Sequence, residues 1–141
     1  MWDDGSWAHK RIDHDRLTRT YVFKTLIESG ANLTFGSDWT VAPLNPVTGI
    51  YAAVTRRTRD GKNPEGWYPI EKISVEDALK FYTMNNAYAA FWENKTGSIT
   101  VGKYADFSVH SVNFLTAAPD EFLYSTVLRT VVAGKDYIFE K

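Results

Sequence analysis

The stretch Asn32-Leu33-Thr34-Phe35-Gly36-Ser37-Asp38 decides how this chain is read. Leu33 and Phe35 alternate with small or polar neighbours, so both point to one side of a short strand, Asn32–Gly36. The strand ends in a glycine, a small residue and a carboxylate. In parallel α/β folds, catalytic groups collect at the carboxyl ends of strands. Asp38 stands at such an end. A carboxylate there could ligate a metal, or take a proton from metal-bound water. Strand-ending aspartates also cap the turn that follows, and spacing alone leaves both roles open.

Upstream, Leu17, Tyr21, Phe23, Leu26 and Ile27 form a rough apolar stripe, which predicts a helix over Asp15–Ser29. Asp13 or Asp15 can cap its start, and Gly30 is placed to end it. Helix, tight turn and strand together make half of an α/β repeat. Downstream, Asn45 before Pro46 is a helix start, with a side-chain cap followed by proline, and predicts a helix over Val47–Arg56. Arg57–Pro69 is a polar loop centred on Asn63-Pro64-Glu65-Gly66. Ser74 caps the next helix, with acidic Asp77 three positions on. Asn85-Asn86 is expected to interrupt it, leaving a second helix over Ala87–Trp92 that Gly97 closes. From Ser98 the texture turns to short strands: Ser98–Val101, Asp106–His110, Val127–Val132 and Asp136–Phe139. Gly102-Lys103 and Gly134-Lys135 are the turn signals, and the last pair reads as a hairpin.

The 141 residues suffice for one compact domain, and 44% hydrophobic with 15% aromatic content excludes a disordered chain. The net charge of −1 is spread without a basic patch, which argues against a nucleic-acid partner. No apolar run is long enough to cross a bilayer, so no membrane partner is expected. Met1-Trp2-Asp3-Asp4-Gly5 is acidic and polar, unlike a secretory signal. Cysteine is absent, which excludes disulfides and thiolate metal sites. These signs together make a cytoplasmic location the expectation.

The order of segments is more specific than any one of them. Gly36-Ser37-Asp38-Trp39, Val41-Ala42-Pro43 and Gly49-Ile50-Tyr51-Ala52-Ala53-Val54-Thr55-Arg56 resemble the YtcJ-like amidohydrolases, amidohydrolase family 3. So do Asn63-Pro64-Glu65-Gly66-Trp67-Tyr68, Ile73-Ser74-Val75-Glu76-Asp77-Ala78-Leu79, Gly97-Ser98-Ile99, Gly102–Val109 and Thr130–Lys135. Asp3-Asp4 and Trp7 fit the same pattern, so the resemblance spans essentially the whole chain. It implies a (β/α)₈ barrel with a small composite β domain. Residues 1–96 would then be the final barrel units, and 97–141 a carboxy-terminal β segment. Asp38 would be the aspartate at the end of the last barrel strand, facing a divalent metal, usually zinc, and shuttling the proton of the attacking water. The implied reaction is hydrolysis of non-peptide, amide-type carbon–nitrogen bonds in a small-molecule substrate.

The chain departs from that pattern in its histidines. A complete barrel needs roughly 250 residues, and the family's early His-x-His pair has no counterpart here. The histidines present are His9, His14 and His110. His9 and His14 are five apart and share no helical face, so they read as surface residues, and His110 reads as structural. One aspartate does not make a catalytic zinc site, which typically takes three protein ligands. The chain alone is therefore expected to be inactive and to bind no metal. Trp39, Trp67 and Tyr68 fall in loops, where they could line a substrate pocket or simply cover a core edge. A non-catalytic binding or self-association module using these aromatics is the alternative. Open barrel edges predict a homo-oligomer. Arg56 and Arg57 are expected at a solvated helix end, and Asp106 in a backbone-bonded turn.

Overall fold

The computed structural model describes residues 1–137. Six helices and a three-stranded sheet follow in order: α1 His14–Leu17, α2 Phe23–Glu28, α3 Pro46–Thr55, α4 Val75–Tyr82, α5 Met84–Ala89, β1 Phe107–His110, α6 Pro119–Phe122, β2 Val127–Val132 and β3 Lys135–Tyr137. Short 3₁₀ turns lie at Asp4–Ser6, Ala8–Lys10 and Pro69–Glu71.

The single helix expected over Asp15–Ser29 is two helices. Thr18 Oγ1 and Thr20 Oγ1 donate back to the carbonyls of Asp15 and Arg16, competing with the helical ladder. Tyr21 then takes a left-handed backbone, φ 55°, which no helix continues through. Asp13 makes no side-chain cap bond. The end of α2 is as expected: Gly30 has φ 87°, and the Ala31 amide closes on Leu26 O.

The Asn45 cap is also as expected, with its Oδ1 accepting from the Val47 amide at 3.0 Å, and Ser74 Oγ accepts from the Asp77 amide at 3.0 Å. The break after α4 falls at Thr83, φ −124° and ψ −86°, not at the two asparagines. Asn85 and Asn86 instead lie inside α5, which begins at Met84 and ends at Ala89.

Those asparagines hold the decisive segment. The strand expected over Asn32–Gly36 is not observed: residues 32–36 carry no regular secondary structure and pair with no other strand among the described residues. Asn85 Nδ2 donates to Leu33 O at 2.8 Å, and Asn86 Nδ2 to Phe35 O at 2.9 Å. The Phe35 amide donates to Phe81 O at the end of α4. Two carboxamides and one helix carbonyl thus stand in for a neighbouring strand, because buried backbone groups must find partners.

The main core joins Val47, Ile50, Tyr51 and Ala53 of α3 to Ala78 and Phe81 of α4, with Ile73, Phe114 and Phe122. Phe122 is fully buried and meets Phe114 edge-on at 5.0 Å. Residues after 97 therefore contribute to the same core as α3. A smaller cluster of Ala8, Leu17 and Trp67 lies beside it.

In the sheet, β2 is central and antiparallel to both neighbours. Ala133 and Gly134, φ 50° and 75°, make the hairpin turn. The strand expected over Asp136–Phe139 is observed for its described part, while residues 138–139 lie outside the described residues. Ser98–Val101 is not a strand. Gly97 and Gly102 both have positive φ, and the Lys103 amide closes a turn on Thr100 O. Ile99 and Val101 point into solvent, 85% and 104% exposed, with no strand to pair against.

Candidate active site

Asp38 follows segment 32–36 with a left-handed backbone, φ 53°. Its carbonyl accepts from the amides of Val41 at 2.8 Å and Ala42 at 3.2 Å. The left-handed region is sparsely populated by residues other than glycine, although aspartate and asparagine tolerate it better than most. Such backbone positions cluster at functional sites. The Asp38 side chain is exposed and makes no hydrogen bond among the described residues. It lines a cavity of about 320 Å³ that runs along segment 34–38 to Trp2, Asp4 and the start of α3.

Tyr21 reaches the same cavity. Its phenol donates to Asp4 Oδ2, and burial with that bond and the nearby charges of Asp4 and Asp38 pushes its pKa up to about 12. Asp3, also on the cavity wall, accepts from Arg59 Nη1 at 3.1 Å and keeps a buried, unpartnered Oδ2.

At Arg56 the solvated helix end expected from sequence is corrected. Arg56 is fully buried, with a left-handed backbone at φ 61°. Its guanidinium lies over the rings of Phe23 and Trp67, 5.3 and 5.4 Å from their centroids. Nε donates to Trp67 O at 3.0 Å, and Nη1 to Tyr21 O at 2.7 Å. The cation interacts with the Glu71 carboxylate, and burial lowers the guanidinium to about 10, still charged at neutral pH. For Glu71, burial opposes ionisation, yet bonds from the Thr25 hydroxyl and amide hold its pKa below the usual value. Arg57 does stay near solvent, paired to Asp120 at 2.6 Å.

The three loop aromatics part company. Trp39 is 65% exposed. Trp67 is buried in the smaller cluster under Arg56, and Tyr68 packs edge-on against it at 4.8 Å. None of the three lines the Asp38 cavity. His9 and His14 are exposed. His110 sits between Ser108 and Ser125 at 3.0 and 3.2 Å, its ring tilted 58° against Phe114 at 5.0 Å. Asp106 ties two segments, accepting from the Ala133 amide and the Thr96 hydroxyl. Among the described residues no three histidines, cysteines or carboxylates group closely enough to hold a metal ion. Asp38 supplies one ligand at most, so the described residues do not by themselves fit the metal centre that the resemblance implies. Sequence reasoning missed the Tyr21–Asp4 pair. Tyr21 looked like one more position on a helix stripe, and Asp4 carried a pattern but no role.

The comparisons with known proteins agree with one another. The sequence is 39% identical over 139 residues to Protein LONG AFTER FAR-RED 3 of Arabidopsis thaliana, covering 96% of this chain and 23% of that protein. It is 31% identical to YtcJ of Bacillus subtilis (strain 168), covering 98% of this chain and 26% of the relative. An N-substituted formamide deformylase of Arthrobacter pascens is 29% identical over 128 residues, covering 91% and 22%. The chain thus spans about a quarter of the length of the curated relatives it matches. An uncharacterized metal-dependent hydrolase from Pyrococcus horikoshii superposes with a TM-score of 0.69 at 25% identity, over 81% of this chain and 23% of its own. An amidohydrolase from Thermotoga maritima shares the fold with a TM-score of 0.64 at 22% identity, over 85% and 26%. The sequence profile of the amidohydrolase family matches residues 1–136, and this chain belongs to that family.

Proposed function

We propose that this chain carries the proton-transfer end of a hydrolase acting on non-peptide, amide-type carbon–nitrogen bonds, with Asp38 as the catalytic carboxylate. The observation that carries this reading is the Asp38 side chain itself, exposed, without a hydrogen-bond partner among the described residues, lining a cavity from a left-handed backbone position. A carboxylate free to accept a proton suits general-base work. Asp38 takes a proton from water as the water oxygen bonds to the carbonyl carbon. It then gives that proton to the leaving nitrogen as the carbon–nitrogen bond breaks. Water and amide become acid and amine, and the carboxylate is regenerated. The deformylase relative supports an N-substituted formamide as the first substrate to try.

Residues 1–96 are read as the last units of a (β/α)₈ barrel and 97–141 as part of its β domain. The two structural matches, each covering about a quarter of the other protein, support that placement. The divalent metal expected from the family, zinc included, needs ligands that this chain's described residues do not group. The chain alone is accordingly proposed to be inactive.

The test is a graft. This chain replaces the matched segment of the Arthrobacter deformylase, and hydrolysis of an N-substituted formamide is measured. Asp38→Asn in the graft should lower the rate at least ~100-fold, the usual worth of a positioned base. A folded graft that works equally well with either residue rules out Asp38 as the proton carrier.

A further inference from the structure

The phenol of Tyr21 has one proton, and it is already given to Asp4. A hydroxyl carries one donor and two acceptor lone pairs, so what remains on Tyr21 is acceptor capacity only. Asp4, as a carboxylate, also only accepts, and both residues line the Asp38 cavity. The phenol is held in place. Arg56 Nη1 grips the Tyr21 carbonyl at 2.7 Å, and the ring meets Phe23 and Trp67 edge-on, each at 6.2 Å. Tyr21 has a left-handed backbone, φ 55°, between α1 and α2, and its phenol meets Asp4.

We propose that Tyr21, oriented by Asp4, is a specificity-determining residue that accepts a hydrogen bond from the N–H of an amide substrate whose carbonyl lies toward Asp38. This rests on reading Asp38 as the hydrolytic carboxylate. The selected class is then the secondary amide. A tertiary amide or an ester brings no proton to the phenol and leaves a partly buried acceptor unpaired, which a site built around a hydrogen bond penalises. The cavity volume, about 320 Å³, accommodates a small aromatic amide.

The test uses the full 141-residue chain and two probes that differ by one methyl group, N-benzylacetamide and N-benzyl-N-methylacetamide. Each is titrated while amide chemical shifts are followed. The native chain should bind the N–H probe about tenfold tighter, the factor that one neutral hydrogen bond supplies. In Tyr21→Phe the ratio should fall to about one. Asp4→Ala, which frees the phenol proton to donate, should lower it as well, and it carries the test if Tyr21→Phe does not fold. Equal affinities in the native chain, a ratio that survives Tyr21→Phe, or no saturable binding of either probe would each overturn the proposal. The ratio is read from binding and the Asp38 role from hydrolysis by the graft. A lost ratio with Asp38-dependent hydrolysis intact therefore sinks the Tyr21 assignment alone, and the reverse result sinks the Asp38 reading alone.

Discussion

Arg56→Met removes the guanidinium and keeps the apolar stem. Both residues pay the same backbone cost at φ 61°, so that contribution cancels. What is lost is specific. Trp67 O and Tyr21 O each lose a charged donor, at 3.0 and 2.7 Å. Trp67 O is then a buried acceptor without a partner, which costs about 1–3 kcal/mol, whereas Tyr21 O keeps the Phe23 amide at 2.9 Å. Two cation–π contacts, at 5.3 and 5.4 Å, add about 0.5–2 kcal/mol each. Against this stands the relief of no longer burying a charge, worth several kcal/mol. The balance is a destabilisation of about 2 kcal/mol, because methionine supplies no donor to Trp67 O and no charge to the two rings. For a domain of this size that lowers the melting temperature by about 4–8 °C. The assay is thermal unfolding at neutral pH followed by circular dichroism, with a urea series to show that the slope is unchanged. Arg56→Lys should also destabilise, since one ammonium cannot serve both carbonyls as the planar fork does. A methionine variant melting within about 2 °C of the native chain would refute the reasoning: the guanidinium would then be balanced by its own desolvation.

Gly97→Ala should destabilise by about 2 kcal/mol or more, since a Cβ there would lie 2.6 Å from Ala87 Cβ and 3.2 Å from Met84 Cα, at φ +86°. Gly102→Ala meets nothing within 4 Å and should cost only the left-handed strain, about 1 kcal/mol; equal melting temperatures for the two variants would contradict the packing at Gly97. Tyr21 ionises near 12 when folded and near 10 when unfolded, so its contribution to stability is whole below pH 10 and lost as pH rises from 10 to 12. Tyr21→Phe should therefore show a shallower fall in stability across that window, and an identical fall would dismiss the shift. Phe91, Ile99 and Val101 stand 88%, 85% and 104% exposed, which supports self-association; light scattering should find a particle larger than 16.0 kDa, and a clean monomer at high concentration would count against it.

The parts of this fold that the sequence made legible are those governed by nearest neighbours along the chain. Asn45-Pro46, Ser74 with Asp77, Gly30 and the Gly134 turn each act within four residues, and each behaves as its local chemistry dictates. The errors share a different cause. Arg56 follows a helix and precedes another arginine, which reads as a wet helix end. Only the arrival of Phe23 and Trp67 from distant parts of the chain makes it a core residue. The helix over 15–29 fails where that same arginine takes hold of Tyr21 O. Ser98–Val101 has strand composition, but a strand is a property of a pair, and among the described residues it has no partner. At the proposed site, Gly36-Ser37-Asp38 is a local run that sequence can single out. Tyr21 is not legible in that way, because its proposed role depends on contact with Asp4 seventeen positions away.

The carboxamides of Asn85 and Asn86 also set an order of events. Segment 32–36 has its anchors 52 and 51 residues further along the chain, and closing a loop of that length carries an entropic cost before any contact repays it. A chain leaving the ribosome presents Asp38 long before α5 exists to hold the segment beneath it. The floor of the cavity is therefore a late product of folding. The Phe35 amide, bonded to Phe81 O, becomes a clock for its completion: its exchange with solvent should slow only when α4 and α5 have docked.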